Sequence, residues 1–514
     1  MAYVLYHLPL PITPMKKTIP IAIILALAIL SCKNSDPVVA TINPTISASN
    51  TSLSFNTLQN NAVVKIATTG NNWTAASNQS WCTLSKYTDT NKSDTVTIYA
   101  TANTTYTTRN AKVTFTINNN SKDTVSVNVT QAAIPNYSSP IAADATEMPS
   151  NAETLVHNMT IGWNLGNTLE VPLTDGGETG WGNPLTTQQL IDGVKAAGFN
   201  AIRIPCAWNS YMSDTTTYQL SATWLAHVKQ IVDYCYNDNM YVIINIHWDG
   251  GWLEDNCTRA KQVAVNLKQR AFWQQIAMNF RDYDEHLLFA GCNEPAVSDT
   301  SGMAVLLSYE QTFINAVRST GGRNSYRTLI CEGPSTNIDN TAQYMTTLPT
   351  DVATKRLAFE VHDYDPYQFS LMTADASWGN MFYFWGASYD QQPLVNGVNR
   401  NATWGEESWF LSEFAKVKAQ FIDNGYPVIL GEFGAIRRLS LTGNNETTHL
   451  ASRAYYLQYV VQQAKTYGLA PFYWDAGSTS DLGSGLFNRS TGTVVDTQGL
   501  NALMAGAAQG TYPY

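Results

Sequence analysis

Charged side chains make up only 14% of this 514-residue chain, and its 30 Lys and Arg are outnumbered by 40 Asp and Glu. No basic run is present to neutralise a row of phosphates, which argues against nucleic acid as a partner. The formal net charge of −10 is spread along the sequence and reads as a solubility feature. Cysteine is scarce as well. Six follow Cys32, namely Cys82, Cys206, Cys235, Cys257, Cys292 and Cys331, with no CxxC pair and no regular spacing. That excludes a zinc ribbon and supports no disulfide framework. HExxH is absent, no GxGxxG follows the first predicted strand, and "GSTSDLGSG" at 477–485 is not a GxSxG elbow. "HWD" at His247–Asp249 offers a single imidazole, a poor metal site. Neither metal nor cofactor is expected. What the chain does have is apolar and aromatic surface. It is 44% hydrophobic with 14 Trp and 27 Tyr, enough for a large core and for rings on which a ligand can stack.

The N-terminus carries an apolar stretch, "MKKTIPIAIILALAILSC", in which Lys16 and Lys17 precede about a dozen apolar residues. It is too short to span a bilayer and has the basic and apolar regions of an export signal. The small Ser31 before Cys32 resembles the lipobox of bacterial lipoproteins. Residues 1–32 therefore read as a signal region starting at Met15, with Cys32 as the lipidated residue and 33–40 as a tether. The expected location is the outer membrane, facing the cell surface or the periplasm, held by more than one acyl chain because a single chain anchors weakly.

Residues 41–133 are rich in Thr, Ser, Asn and Val. Alternating runs such as "AVVKIATT", "DTVTIYA" and "AKVTFTI" are separated by polar turns, the pattern of a small all-β, immunoglobulin-like sandwich. "NNWTAASNQSWCTLS", "TANTTYTTRNAKVTF" and the closing "VNVTQ" resemble the BACON domain, whose name implies glycan binding. The residues themselves favour a spacer with Trp73 and Trp81 in its core. A Pro/Ser/Ala-rich linker, 134–151, follows.

From 152 to 514 short apolar runs alternate with helix-period segments. Eight runs are strand candidates: "IGWNLGN", "AIRIPCAW", "YVIINIHW", "LLFAGCNEP", "RTLICEGP", "RLAFEVHDY", "PVILGEFG" and "APFYWDAG". Strands oily on both faces and joined by crossover helices predict a parallel sheet covered by helices, and eight such units predict a (β/α)8 TIM barrel. Each run drives into polar residues because the strand there leaves the packed core at the C-terminal face, where such barrels place their chemistry. Asn167, Arg203, His247, Asn293, Glu294, His362, Tyr364, Glu432 and Trp474 all stand at such ends. Two carboxylates in an aromatic cleft suit glycoside hydrolysis, one protonating the leaving oxygen and the other attacking the anomeric carbon. The acid's pKa should be raised and the nucleophile kept ionised, with Arg203 holding Glu432 charged. His362 and Tyr364 are expected to orient Glu432, Asn293 to reach a sugar hydroxyl, and Trp474 to stack under a ring. Trp181, Trp248 and Trp252 lie in loops after the first and third strands and are candidate sugar platforms.

"IRIPCAW", "IHW", "NEP", "VHDY", "GEFG" and "FYWDAG" resemble glycoside hydrolase family 5, in order and over all eight strands. The resemblance implies Glu294 as acid/base, Glu432 as nucleophile, and Arg203, His247, Asn293, His362, Tyr364 and Trp474 as the supporting residues. "GWNLGNTLE", "ETGWGNP" and "HWDGGWLE" further resemble subfamily 4, dominated by endo-β-1,4-glucanases including enzymes for xyloglucan. One departure stands at Trp248, where many relatives carry His. The expected activity is a retaining endo-β-1,4-glucanase acting on xyloglucan, mixed-linkage glucan or soluble cellulose, as a monomer, with the two carboxyl groups roughly 5–5.5 Å apart. The competing readings are a family-5 mannanase or xylanase, and a non-catalytic surface glycan-binding lipoprotein.

Overall fold

A computed structural model describes residues 43–117 and 123–514. The signal region, Cys32 and the tether lie outside the described residues. Among the described residues no helix is long and apolar enough to cross a membrane, and all six cysteines are free and buried.

The N-terminal unit is a sandwich of two sheets. One is built on Asn60–Thr68 and Ser93–Ala100, the other on Arg109–Ile117, Thr124–Gln131 and Trp73–Ser77. Alternation decides the faces: in Asn60–Thr68, Val64 and Ile66 point inward while Val63, Lys65 and Ala67 point out. Trp73 is fully buried and meets Phe115 edge-on at 5.6 Å. Trp81 is half covered, with the Arg109 guanidinium 4.3 Å above its ring. Trp73 is thus a core residue, while Trp81 packs against the core from its edge. Trp73→Ala leaves a large void and should cost the sandwich about 3–5 kcal/mol. Denaturant unfolding followed by fluorescence should then show a sandwich transition shifted to lower denaturant, with the hydrolytic rate on a short soluble substrate unchanged.

The sandwich is tied to the second unit. Gln274 accepts from the backbone of Tyr137 at 3.1 Å and donates to the Tyr106 hydroxyl at 3.1 Å, while Tyr137 donates to the carbonyl of Thr217 at 3.0 Å. The linker adds a short parallel pairing of Ile141–Ala143 with Gly321–Gly322.

The second unit is a closed parallel barrel of eight strands: β1 Gly162–Leu165, β2 Ala201–Ile204, β3 Tyr241–Asn245, β4 Leu287–Ala290, β5 Leu329–Asn337, β6 Leu357–His362, β7 Val428–Phe433 and β8 Leu469–Asp475. β8 closes onto β1 through Phe472 opposite Gly162 and Trp474 opposite Asn164. The strands read as largely apolar runs because both faces are covered, interrupted at Asn164, Arg203, Glu332 and Glu360. Ala201, Ile243, Leu288, Ile330, Ala358, Ile429 and Phe472 fill the interior, whereas Ile202, Val242, Ile244 and Phe289 pack outward under the helices. Leu155, Val156 and Met159 join the interior cluster from the segment before β1, closing the barrel's N-terminal end. The crossovers carry the helices Gln188–Ala196, Ala222–Asn237, Gln262–Asn279, Thr300–Arg318, Ile338–Tyr344, Glu407–Gln420 and Asn445–Tyr467. Two features were not anticipated. The segment from Asp363 to Glu406 is a long excursion between β6 and the helix Glu407–Gln420, with only the short helix Tyr367–Ser370 within it. A final helix, Thr497–Gln509, packs against Asn445–Tyr467.

Candidate active site

Glu432 lies near the end of β7 and is almost fully buried. Both its oxygens are occupied: Arg203 Nη1 donates to Oε1 at 2.9 Å and the Tyr364 hydroxyl donates to Oε2 at 3.0 Å. Arg203, on β2 and wholly buried, also donates to Asn164 Oδ1 at 3.0 Å and Asn293 Oδ1 at 2.7 Å, and its Nε lies 2.9 Å from Glu360 Oε1. Because Arg203 takes the Asn293 oxygen, the Asn293 amide nitrogen is the end available to a sugar hydroxyl.

Glu294 follows β4 with a side chain 47% exposed to the cleft. One oxygen each of Glu294 and Glu432 and one nitrogen of His362 lie within 4.8 Å of one another. That spacing suits two carboxyl groups acting on a single anomeric carbon. His362 departs from the sequence reading. Its Nδ1 bonds Glu294 Oε1 at 2.8 Å and is 3.8 Å from Glu432, so it addresses chiefly Glu294; Nε2 bonds Glu360 Oε1 at 3.1 Å. The sequence located His362 at a strand end but could not say which carboxylate its ring would face.

The proton order also differs from expectation. Burial pulls His362 down, but Glu432, Glu294 and Glu360 together push it up to about 10. Burial raises Glu432 above the ordinary carboxylate range, against the pull of His362 and Arg203. Burial raises Glu294 as well, but the hydrogen bond and charge of His362, with Arg203, outweigh it and hold Glu294 below that range. In the open cleft the acid is thus not the high member. The cause is the protonated imidazole of His362, with Arg203 behind it, held against a Glu294 that still meets solvent on its cleft side. A polysaccharide covering Glu294 removes that solvent and favours its protonated form. The three groups titrate as one set.

His247 stacks parallel to Trp474, ring centroids 6.0 Å apart, and burial holds it neutral, well below its usual value; Asn245 Nδ2 lies 3.1 Å from its Nδ1. Trp474 needs Gly166, where a Cβ would sit 2.9 Å from its ring. A groove of about 410 Å³ runs outward from Trp474 past Asn167, Trp181 and Leu482. Asn167 is held there by Glu170, which accepts its backbone N–H, and by Asn183, which donates to its carbonyl at 2.9 Å. Trp181 and Trp248 are exposed, as platforms require. Trp252 is a correction: it packs edge-on against Phe272 at 5.3 Å with Lys268 4.4 Å over its face, a wall residue of the β3 loop. Asp249 likewise serves structure, accepting the backbone N–H groups of Trp208, Asn209 and Ser210. Sequence reasoning missed Asn164 and Glu360. Glu360 stands two residues before His362, and alternation along a strand puts both on one face, a signal that was present.

A family model described as Cellulase (glycosyl hydrolase family 5) matches residues 166–480. The chain belongs to glycosyl hydrolase family 5. Within that family it is 34% identical to a xyloglucan-specific endo-β-1,4-glucanase of Bacteroides ovatus over 507 residues, covering 96% of either chain. A solved Bacteroides ovatus family-5 xyloglucanase, in complex with a XXXG heptasaccharide, superposes with a TM-score of 0.67 at 34% identity, over 91% of this chain and 100% of the other. A family-5 xyloglucan-specific β-1,4-glucanase from a ruminal metagenomic library, in complex with XXLG, gives 0.65 at 41% identity, over 71% and 98%. The BACON family model matches residues 71–132, inside the sandwich. The family-5 match begins just after β1 ends and takes in β2 to β8.

Proposed function

We propose that the protein is a retaining endo-β-1,4-glucanase that cuts xyloglucan and related soluble β-glucans through a covalent glycosyl-enzyme. The observation that carries this reading is the Glu294/Glu432 pair, spaced within 4.8 Å, with Glu432 clamped by Arg203 and Tyr364. In the first step Glu294 gives its proton to the glycosidic oxygen as the C1–O bond breaks, and a Glu432 oxygen bonds to C1. In the second, water attacks C1, Glu294 takes its proton, and Glu432 departs as a carboxylate into the two hydrogen bonds it began with. Tyr364 and Arg203 hold the attacking lone pair in place, so little reorganisation is needed. The Asn293 amide reaches the 2-hydroxyl, a contact that strengthens as charge develops at C1. Trp474 supplies an apolar floor, and Trp181 and Trp248 extend it into the loops.

The similarity to two xyloglucan-specific enzymes, one of them matched over 96% of both chains, supports the choice of polymer. Export as an outer-membrane lipoprotein through Cys32 remains part of this proposal, supported by the basic-apolar-Ser-Cys pattern of the first 32 residues. A reducing-end assay over xyloglucan, mixed-linkage glucan, carboxymethylcellulose, mannan and xylan tests the substrate. Xyloglucan should be cut fastest. Activity confined to mannan or xylan would refute the glucan assignment, and no new ends on any β-glucan would leave only a sugar-binding protein.

A further inference from the structure

We propose that Glu332 and Glu360, buried beneath the catalytic pair, share one proton and act as positioning residues for Glu294. The inference rests on the reading of Glu294 as acid/base.

Glu332 on β5 and Glu360 on β6 are register partners in the barrel wall, and both are completely buried. Each reaches a different part of the acid/base. Glu332 Oε2 accepts the backbone N–H of Glu294 at 3.0 Å and the hydroxyl of Thr336 at 2.6 Å. Thr336 Oγ1 also accepts that same N–H at 3.1 Å, and the N–H of Ser335 donates to the carbonyl of Pro295 at 2.7 Å. The end of β5 therefore clamps the chain on both sides of the Glu294 carbonyl. It has a conformation to hold: Glu294 sits at φ +49°, in the left-handed region that side-chain-bearing residues avoid. Glu360 works from the other side. Its Oε1 lies between His362 Nε2 at 3.1 Å and Arg203 Nε at 2.9 Å, and His362 passes the contact on to the Glu294 carboxyl. Room for the Glu360 carboxyl comes from Gly431, where a Cβ would lie 2.0 Å from Oε1.

The other oxygen of each residue, Glu332 Oε1 and Glu360 Oε2, is buried and has no hydrogen-bond partner. An orphaned carboxylate oxygen in the interior is costly, and two carboxylates at adjacent register positions repel. One proton on the pair makes one of the two carboxyls neutral and removes the repulsion between them. It also leaves the buried set with Arg203 and His362 as cations against fewer anions. Burial and the charge of Glu360 push Glu332 well above the carboxylate range, whereas the charges of Arg203 and His362 outweigh burial at Glu360 and hold it low. Glu332 is thus the member that carries the proton, and Glu360 the ionised one.

The experiment compares rates on xyloglucan, whose leaving group needs an acid, with rates on a dinitrophenyl cello-oligosaccharide, whose leaving group does not. Glu332→Ala should lower kcat/KM on xyloglucan about 100-fold and on the activated glycoside less than about 3-fold. Thr336→Val, a milder change, should give the same split on a smaller scale, whether or not the alanine variant folds. Glu332→Gln, the amide counterpart of a neutral acid, should restore xyloglucan activity to within about 10-fold of the parent. Equal losses on both substrates in Glu332→Ala and Thr336→Val overturn the positioning role. A Glu332→Gln enzyme as impaired as Glu332→Ala overturns the shared proton. Glu294→Ala runs alongside as reference: if it lacks the split, the acid/base assignment itself fails, an outcome distinct from failure at Glu332 alone.

Discussion

Glu432→Gln turns over β-glucan at least about 10,000-fold more slowly while KM stays near that of the parent. The amide keeps the volume and can still accept from Arg203 or Tyr364, so the cleft stays assembled and the polymer still binds. What it cannot do is form the ester to C1. Initial rates by reducing-end release measure the loss. A fluoro-sugar glycoside with a good leaving group supplies the complementary test, because it should accumulate a covalent adduct that peptide mass mapping places on Glu432. Residual turnover of more than about a hundredth of the parent, or an adduct on another residue, would remove Glu432 from the nucleophile's role. The same substitution takes away the leading charge that raises His362, so the imidazole should titrate below its present value of about 10.

Glu294→Ala should divide the reaction into its two halves. With polysaccharide the loss should reach about 100- to 10,000-fold, because a poor leaving group must depart unprotonated. With a dinitrophenyl glycoside the first half needs no acid, so a burst of phenolate appears at near-parental rate. The second half still lacks its base, and the steady state is slow. Azide, which needs no deprotonation, should then speed turnover and yield a glycosyl azide of retained configuration. An azide product of inverted configuration would rule out double displacement. Absence of any leaving-group dependence would rule out Glu294 as the acid. The half-exposed position of Glu294 is what lets a small anion into the space its side chain leaves.

The eight barrel strands were legible because each is buried on both faces, and continuous burial writes itself as a run of apolar residues ending abruptly in polar ones. The site residues at those ends were legible for the same reason. What the sequence hid lies inside the runs. Glu332 in "LICEGP" and Glu360 in "LAFEVH" look like blemishes in a core strand until Arg203, His362 and the Glu294 backbone arrive from other strands to satisfy them. The facing of His362 depended on a side-chain rotation that alternation cannot supply. Trp252 was misplaced because a loop tryptophan carries no periodic signal, and Phe272 and Lys268, which cover it, come from the following helix. The segment between β6 and its helix mixes Trp, Asn, Asp and Gly without a period, and its exposed Trp378 and Trp404 lie beside Tyr367 and Trp409, neighbours that no spacing announces.

The seam between the two units has a practical meaning for anyone who would trim the protein. Gln274 is entirely covered, and both ends of its amide are engaged by Tyr106 and Tyr137. Deleting the sandwich strips Tyr106 away and bares a donor that the barrel's own side chains reach only at Ser319, 3.4 Å off. Surgery at the linker is therefore not neutral: a truncated hydrolase begins life with a wet scar on the helix Gln262–Asn279, and Gln274→Leu would be the natural dressing.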